Sequence, residues 1–289
     1  MSGGADLHVH TTHSDGSCSP GEVVRAAAGR GLAALAITDH DTLSGLSVAR
    51  PEAARLGVEL VSGVELTAVR DGREIHILGY YFDDQDKDLV EATTRLRAGR
   101  ADRIASMVDR LRALGLSVDL EGLAKTFPRA TLGRRHLADW LVKTGQVADR
   151  RAAFDLYLRD DGPATVPKPR LPWREAIGLI RAAGGVAAWA HPPFDARRVD
   201  VVELIDGGLG AIEVDGPGFD ARRSARLRGW AVEDGLIPVA GTDVHTPDRP
   251  GRWLGAVVTP VEDLERLRGV RPGIAIAPDL GVRVQPRPR

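Results

Sequence analysis

Short apolar runs alternate with stretches whose apolar residues recur every three or four positions, and the alternation covers most of the chain. The apolar runs predict strands at Asp6–Val9, Ala34–Thr38, Leu60–Glu65, Ile75–Tyr81, Gly185–Ala190, Ala211–Val214, Ile237–Gly241 and Leu254–Val258. The amphipathic stretches predict helices at Pro20–Arg30, Ser44–Leu56, Trp173–Ala183, Val201–Asp206, Ala221–Glu233 and Val261–Arg268. Pro20 and Pro172 stand where helices would begin, and Gly31 and Gly57 where they would end. Such alternation points to α/β architecture with a mainly parallel sheet.

One stretch breaks the rhythm. From Asp86 to Leu158 no strand pattern stands out, and helical spacing takes over at Ile104, Met107, Val108, Leu111 and Leu114, then at Leu137, Trp140 and Leu141. The expected organisation is therefore an α/β body, residues 1–85 and 166–280, carrying a helical insert, residues 86–165. Between Arg95 and Arg151 there are 13 Lys or Arg against 6 Asp or Glu, a surplus of +7. A charge run is ordinarily a solvated helix face; the functional alternative is a basic lid over an anionic substrate. The two stand level on charge alone. The tail after Ala277, with Gly281 to Arg289 rich in Pro and Arg, is expected to be loosely ordered.

Composition narrows the setting. With 289 residues, 43% of them hydrophobic, the chain can bury a large core. No apolar run approaches the ~20 residues of a membrane span. The start, Met1 to Asp6, has neither the basic nor the apolar region of a signal peptide. A lone Cys18 cannot form an internal disulfide, so a reducing cytoplasm is the expected location. A net charge of −1 argues against a surface that binds nucleic acid all over.

The candidate chemistry sits where strands end. His8 and His10 are two apart on the first strand, so both imidazoles point to one face. Asp15 follows in a Ser-Asp-Gly turn. Thr38-Asp39-His40-Asp41 ends the second strand, Glu65 the third and His191 the one after the insert, while Asp243 and His245 repeat the two-residue spacing. His76 lies inside the fourth strand. In a parallel barrel all strand ends open on one face, where such residues would converge. Imidazoles mixed with carboxylates suit Mn, Fe, Zn or Co, and several carboxylates favour more than one ion. A lone histidine is more often structural than a ligand. A whole set facing one cavity is not, because the imidazoles would repel once protonated unless something held them neutral. His13 reads as a surface or loop residue and Cys18 as a small hydrophobe.

With these residues the chain resembles the PHP family, the polymerase and histidinol phosphatase domain. The resemblance rests on Asp6-Leu7-His8-Val9-His10-Thr11 with Ser14-Asp15-Gly16, Ile37-Thr38-Asp39-His40-Asp41, Gly63-Val64-Glu65, His76-Ile77-Leu78-Gly79-Tyr80, Ala190-His191-Pro192 and Gly241-Thr242-Asp243-Val244-His245. It implies a distorted barrel of seven β/α units. The subgroup most similar to this chain comprises stand-alone nucleoside 3′,5′-bisphosphate phosphatases and ribonuclease AM-like 5′-3′ exoribonucleases. Its insert motifs match Gly133-Arg134-Arg135-His136-Leu137-Ala138 and Gly162 to Lys168 here.

Carried over, the resemblance implies two or three divalent ions, manganese first, with iron, zinc or magnesium as alternatives. His8, His10, Glu65 and Asp243 would hold one ion; Glu65 would bridge to a second on His76 and His191; Asp15, His40 and His245 would hold a third. Arg134, Arg135, His136 and Lys168 would contact substrate, with His136 as the catalytic candidate, either stabilising charge or protonating the leaving oxygen. Asp39 and Asp41 would orient ligand imidazoles. The chain departs from the subgroup at Arg135, where proline is usual, at Thr165, where tyrosine is usual, and near Asp215 to Phe219.

The expected function is hydrolysis of nucleotide phosphomonoesters or short RNA by in-line attack of a metal-bridging hydroxide, with no covalent intermediate and no obligate protein partner. Two alternatives stay open: a phosphatase of another small ester (sugar, amino-alcohol or cyclic phosphate), and a metal-binding module without activity. Amide hydrolysis would need a lysine-bridged metal pair, which the motifs lack.

Overall fold

The computed structural model describes residues 3–128, 130–246 and 253–270. Most strands are short and apolar, and most are followed by a helix that covers them. Strand β1 (Ala5–Val9) leads to helix α1 (Pro20–Gly29), β2 (Ala34–Ile37) to α2 (Ser44–Leu56), and β3 (Glu59–Arg70) turns directly into β4 (Arg73–Tyr80). Ser19 caps α1 reciprocally with Glu22, and Gly57 ends α2 with a left-handed φ of 70°, which a side chain would resist. After the insert come β5 (Leu171–Pro172), α7 (Trp173–Ala182), β6 (Val186–Trp189), α8 (Arg198–Asp206), β7 (Ala211–Asp215), α9 (Ala221–Glu233), β8 (Ile237–Ala240) and α10 (Val261–Gly269).

The strands pair in the order β1-β2-β3-β4-β6-β7-β8, with β5 beside β3. Neighbours are parallel except around β4, which runs antiparallel to both β3 and β6. A parallel bridge from Val9 to Val244 and an antiparallel one from Ala5 to Thr259 bring the two edges together. The distorted α/β barrel expected from the sequence is thus the observed architecture. Leu254–Val258 forms no strand; the isolated bridge to β1 comes from the next residue, Thr259. The third strand continues five residues past Glu65, because Leu66-Thr67-Ala68-Val69 pairs with the start of β4 above the rim. The expected loose order after Ala277 falls outside the described residues.

Alternation along the strands sorts the barrel core in two. Leu35, Ile37, Val64 and Ile212 pack outward against the helices through Val24, Leu46, Ile177 and Leu227. Leu7, Ala36, Val61, Tyr80, Ala188 and Val239 form a second cluster. Tyr80 spans it, donating its hydroxyl to the Leu7 carbonyl at 3.0 Å. The many alanines leave room for that ring.

Between β4 and β5 lie α3 (Lys87–Ala113), α4 (Leu120–Thr126), α5 (Arg134–Lys143) and α6 (Arg150–Ala153), the last running on into a π turn at Phe154–Leu158. They bury their own cluster, with Ile104, Met107, Leu111, Leu123, Leu137 and Leu158. Polar contacts tie these helices to the barrel rim. Arg100 of α3 is buried and donates through Nε to Asp41 at 2.6 Å and through Nη2 to Thr67 at 2.7 Å. The His13 carbonyl accepts the backbone N–H of Thr131 at 3.1 Å. His13 is therefore buried, not a surface residue: the insert covers its loop, and its ring lies 2.7 Å from the Ser44 hydroxyl.

Candidate metal centre

The parallel strands bring His8, His40, Glu65, His191 and Asp243 to one rim. His76 reaches it for a different reason. Because β4 is antiparallel, its beginning lies at that rim, so a mid-strand position faces the same cavity as its neighbours' ends. Non-glycine residues with positive φ mark the bends there: Asp41 at 52°, His191 at 31° and Asp243 at 44°. Such strain is retained where surrounding structure over-determines it, commonly at functional sites. Gly241 allows β8 to pass β1, since a Cβ there would lie 2.4 Å from the His8 nitrogen.

Glu65 occupies the centre. Its Oε2 is 3.4 Å from His8 Nε2, 3.2 Å from His10 Nε2 and 3.0 Å from His40 Nδ1. Its Oε1 is 2.7 Å from His76 Nδ1 and 3.0 Å from His191 Nε2. Asp243 Oδ1 lies 3.2 Å from His10 Nε2 and 3.4 Å from His245 Nδ1, while Asp15 Oδ1 is 3.2 Å from His245 Nε2. All nine residues singled out as ligands from the sequence share this one cluster. They fall into overlapping groups tight enough to hold an ion: His10, Asp15, His40 and His245; His8, His10 and Asp243; His8, Glu65 and His191; His40, Glu65 and His76.

Several atoms aimed into the cluster are buried without a hydrogen-bond partner, among them His8 Nε2, His10 Nε2, His40 Nδ1, Glu65 Oε2 and Asp15 Oδ1. Orphaned polar atoms are costly in an interior. Here they are lone-pair donors of the types that divalent metals take, and the residues present fit such ions.

Electrostatics agree. Burial alone would lower the pKa of His10, but the carboxylates of Asp243 and Glu65, each 3.2 Å from its Nε2, raise it to about 10. Burial is likewise outweighed at His76, where Glu65 and Glu74 raise it to about 9. His40 goes the other way, pushed well down by burial and by neighbouring imidazoles despite Glu65. Without an ion, protons hold the carboxylates and imidazoles together.

The residues behind this shell differ from expectation. Asp39 and Asp41 do not touch ligand imidazoles. Asp39 accepts from Thr11 N at 2.7 Å, Thr11 Oγ1 at 2.6 Å and Ser14 Oγ at 2.5 Å, fixing the loop that presents Asp15. Asp41 accepts from Thr67 N at 2.7 Å and from Arg100. The carboxylates that orient imidazoles are Glu213, which accepts from His8 Nδ1 at 3.0 Å and from the His191 backbone N–H, and Glu74, 3.1 Å from His76 Nε2. Carboxylates in this position fix the ring tautomer and leave the opposite nitrogen free for metal. The sequence carried a signal for Glu213: a lone acid inside Ala211-Ile212-Glu213-Val214 must find a buried partner.

The substrate-contact candidates sit above the cluster, on two sides. Arg134 donates to the Leu158 carbonyl at 3.0 Å and to Asp160 at 2.6 Å, and Lys168 to Glu74 at 2.6 Å. Arg135 Nε is 3.7 Å from Asp15 Oδ2. His136 is buried, its Nδ1 accepting the Gly133 N–H at 2.9 Å, and burial lowers its pKa. Cys18 packs against the barrel core, as a small hydrophobe would.

Comparison with known proteins fits this geometry. The PHP domain model matches residues 6–99. A 3′,5′-nucleoside bisphosphate phosphatase of Chromobacterium violaceum is 34% identical over 257 residues, 86% of this chain and 90% of the relative. The chain belongs to the PHP family. A 5′-3′ exoribonuclease of Haemophilus influenzae is also 34% identical, over 84% of this chain and 90% of its own length. Among solved structures, a Bifidobacterium adolescentis protein assigned as a metal-dependent phosphoesterase superposes with a TM-score of 0.85 at 30% identity, covering 92% of this chain and 96% of its own. In this PHP chain, no helix among the described residues is long and apolar enough to cross a membrane.

Proposed function

We propose that this PHP protein is a metal-dependent phosphoesterase that removes phosphate from small nucleotides, nucleoside 3′,5′-bisphosphates first, or trims short 5′-phosphorylated RNA. The observation that carries the proposal is the Glu65 carboxylate, which faces five imidazoles through its two oxygens, with buried donor atoms left unpartnered around it. The named activities of the two relatives supply the substrate class.

His8, His10, Glu65 and Asp243 would hold one ion, His76 and His191 with Glu65 a second, and Asp15, His40 and His245 a third, with manganese the first choice. Bound there, such ions supply Lewis-acid activation of water and neutralise phosphoryl oxygens. The chain's own residues do the rest. Glu213 and Glu74 hold His8 and His76 in the tautomers that turn Nε2 and Nδ1 inward. Residues 86–165 act as a basic lid, and Arg134 grips a phosphate through paired N–H groups. His136 stays neutral with its proton on Nε2, since Nδ1 accepts a backbone N–H; it stabilises charge as a hydrogen-bond donor. A cytoplasmic location suits the lone Cys18.

The test is phosphate release from adenosine 3′,5′-bisphosphate with Mn²⁺, alongside mononucleotides, a cyclic phosphate and short 5′-phosphorylated RNA. The expected result is preference for the bisphosphate or the RNA. Turnover of only the cyclic phosphate would reassign the substrate, and no turnover with metals bound would leave a non-catalytic module.

A further inference from the structure

The first turn of α5 divides the space above the metal centre. Successive helical residues point about 100° apart, and here Arg134 lines one cavity while Arg135 and His136 line another. The two cavities lie at opposite ends of the row of ligands. One includes Glu74, the partner of His76; the other includes Asp15 and His245.

Their chemistry differs. The cavity at Glu74, about 420 Å³, is lined by four cations, Arg103, Arg134, Lys168 and Arg170, against Glu74 and Asp160. Asp160 is 95% exposed, so it offsets little charge inside. The cavity at Asp15, about 560 Å³, has Arg135 and Arg150 facing Asp15 and Asp139, and Arg150 is spent on a bidentate contact with Asp139. Charge there is balanced among the described residues. Its wall carries the half-buried ring of Phe127 and an exposed Pro128, with hydroxyls at Thr12, Ser17 and Thr246. A phosphate dianion is favoured in the first cavity and not in the second. A flat, uncharged group with hydrogen-bonding edges is favoured in the second.

We infer that the Phe127 cavity is the nucleobase subsite, with the base stacked on Phe127 and the hydroxyls reading its edge, while the scissile phosphate sits on the metal centre. The inference rests on the phosphoesterase reading above and adds the orientation of the substrate: base toward Asp15 and His245, and the non-reacting phosphate toward Lys168. Arg135 then lies between base and metals.

The experiment compares adenosine 3′,5′-bisphosphate with the abasic ribose 3,5-bisphosphate, using the full chain loaded with Mn²⁺. Phe127→Ala and Phe127→Leu should raise KM for the adenosine compound by roughly 10- to 100-fold. The abasic compound, having no base to place, should change far less. Phe127→Trp, which keeps a stacking face, should restore most of the loss. Because Phe127 also packs on the insert and meets the His136 ring edge-on, the abasic compound doubles as the control for folding. Equal losses on both substrates, or equal kcat/KM for both in the unaltered protein, would overturn the subsite and leave the activity standing. Failure to turn over either compound would instead defeat the phosphoesterase reading.

Discussion

At the barrel rim the buried polar groups are carboxylates that each collect several donors. Asp6 accepts from His8 N, from Thr242 through both its N–H and hydroxyl, and from Gly255 N. Asp39 and Glu213 do the same for the loops and imidazoles beside them. In the insert the interior is mainly apolar, and the buried charges, Arg100 and Arg103, are cations directed at the barrel or at the Val166 carbonyl. The barrel thus uses its buried polarity to hold a fixed constellation, with most partners close in space and distant in sequence. The insert spends its own on docking to that constellation and on presenting positive charge. On the proposed function, metal binding and substrate recognition would in this way be carried by separate cores.

The sharpest way to break the comparison is at its centre. Glu65→Gln removes a charge that five imidazoles face, and phosphatase activity should fall by roughly a thousandfold or more while the fold persists. Circular dichroism and metal analysis read the outcome; a variant that keeps its metals and its rate would remove Glu65 from the site. Next comes the joint between the regions. Arg100→Met leaves Asp41 buried without its cation, at a cost of about 3–5 kcal/mol. That loss should appear in denaturant melts. Because Asp41 follows His40 and donates its own backbone N–H to the Glu65 carbonyl at 2.9 Å, metal affinity should fall too. If only stability changes, the insert docks without tuning the centre.

The smallest effect is on pH. With His10 raised to about 10 and His76 to about 9, the metal-free protein carries protons there at pH 7. Metal binding must release them, so Mn²⁺ affinity should climb as pH rises from 7 toward 9. The metal-free fold should move oppositely: groups whose pKa is raised on folding stabilise below their unfolded value, near 6.5, and that stability is lost as pH rises through 9 to 10. Calorimetry in buffers of different ionisation enthalpy counts the protons; none released at pH 7 would contradict the charge state assigned to the cluster.

The two regions were also unequally legible in the sequence. Strand-end histidines and acids stood out because their chemistry interrupts apolar runs, and the barrel gathers them. Glu213 was marked only as a lone acid inside an apolar strand, and its role depends on a partner 205 residues away. Asp39 and Asp41 were visible beside His40 but their targets were not, because Thr11, Ser14 and Arg100 reach them only through tertiary folding. His13 read as a surface or loop residue; it does lie in a loop, but nothing local announces that the insert covers it. Arg134 and Arg135 were both expected to contact substrate, and the helix splits them between two cavities.

The reversed direction of β4 has a practical consequence. Glu65, Glu74 and His76 lie on one uninterrupted hairpin, joined by a two-residue turn at Asp71 and Gly72. A synthetic ribbon spanning residues 59–80 would carry three members of the centre in their natural spacing, whereas every other member must be imported from a separate strand or loop. Any attempt to rebuild this chemistry in a smaller scaffold therefore has one ready-made piece to start from.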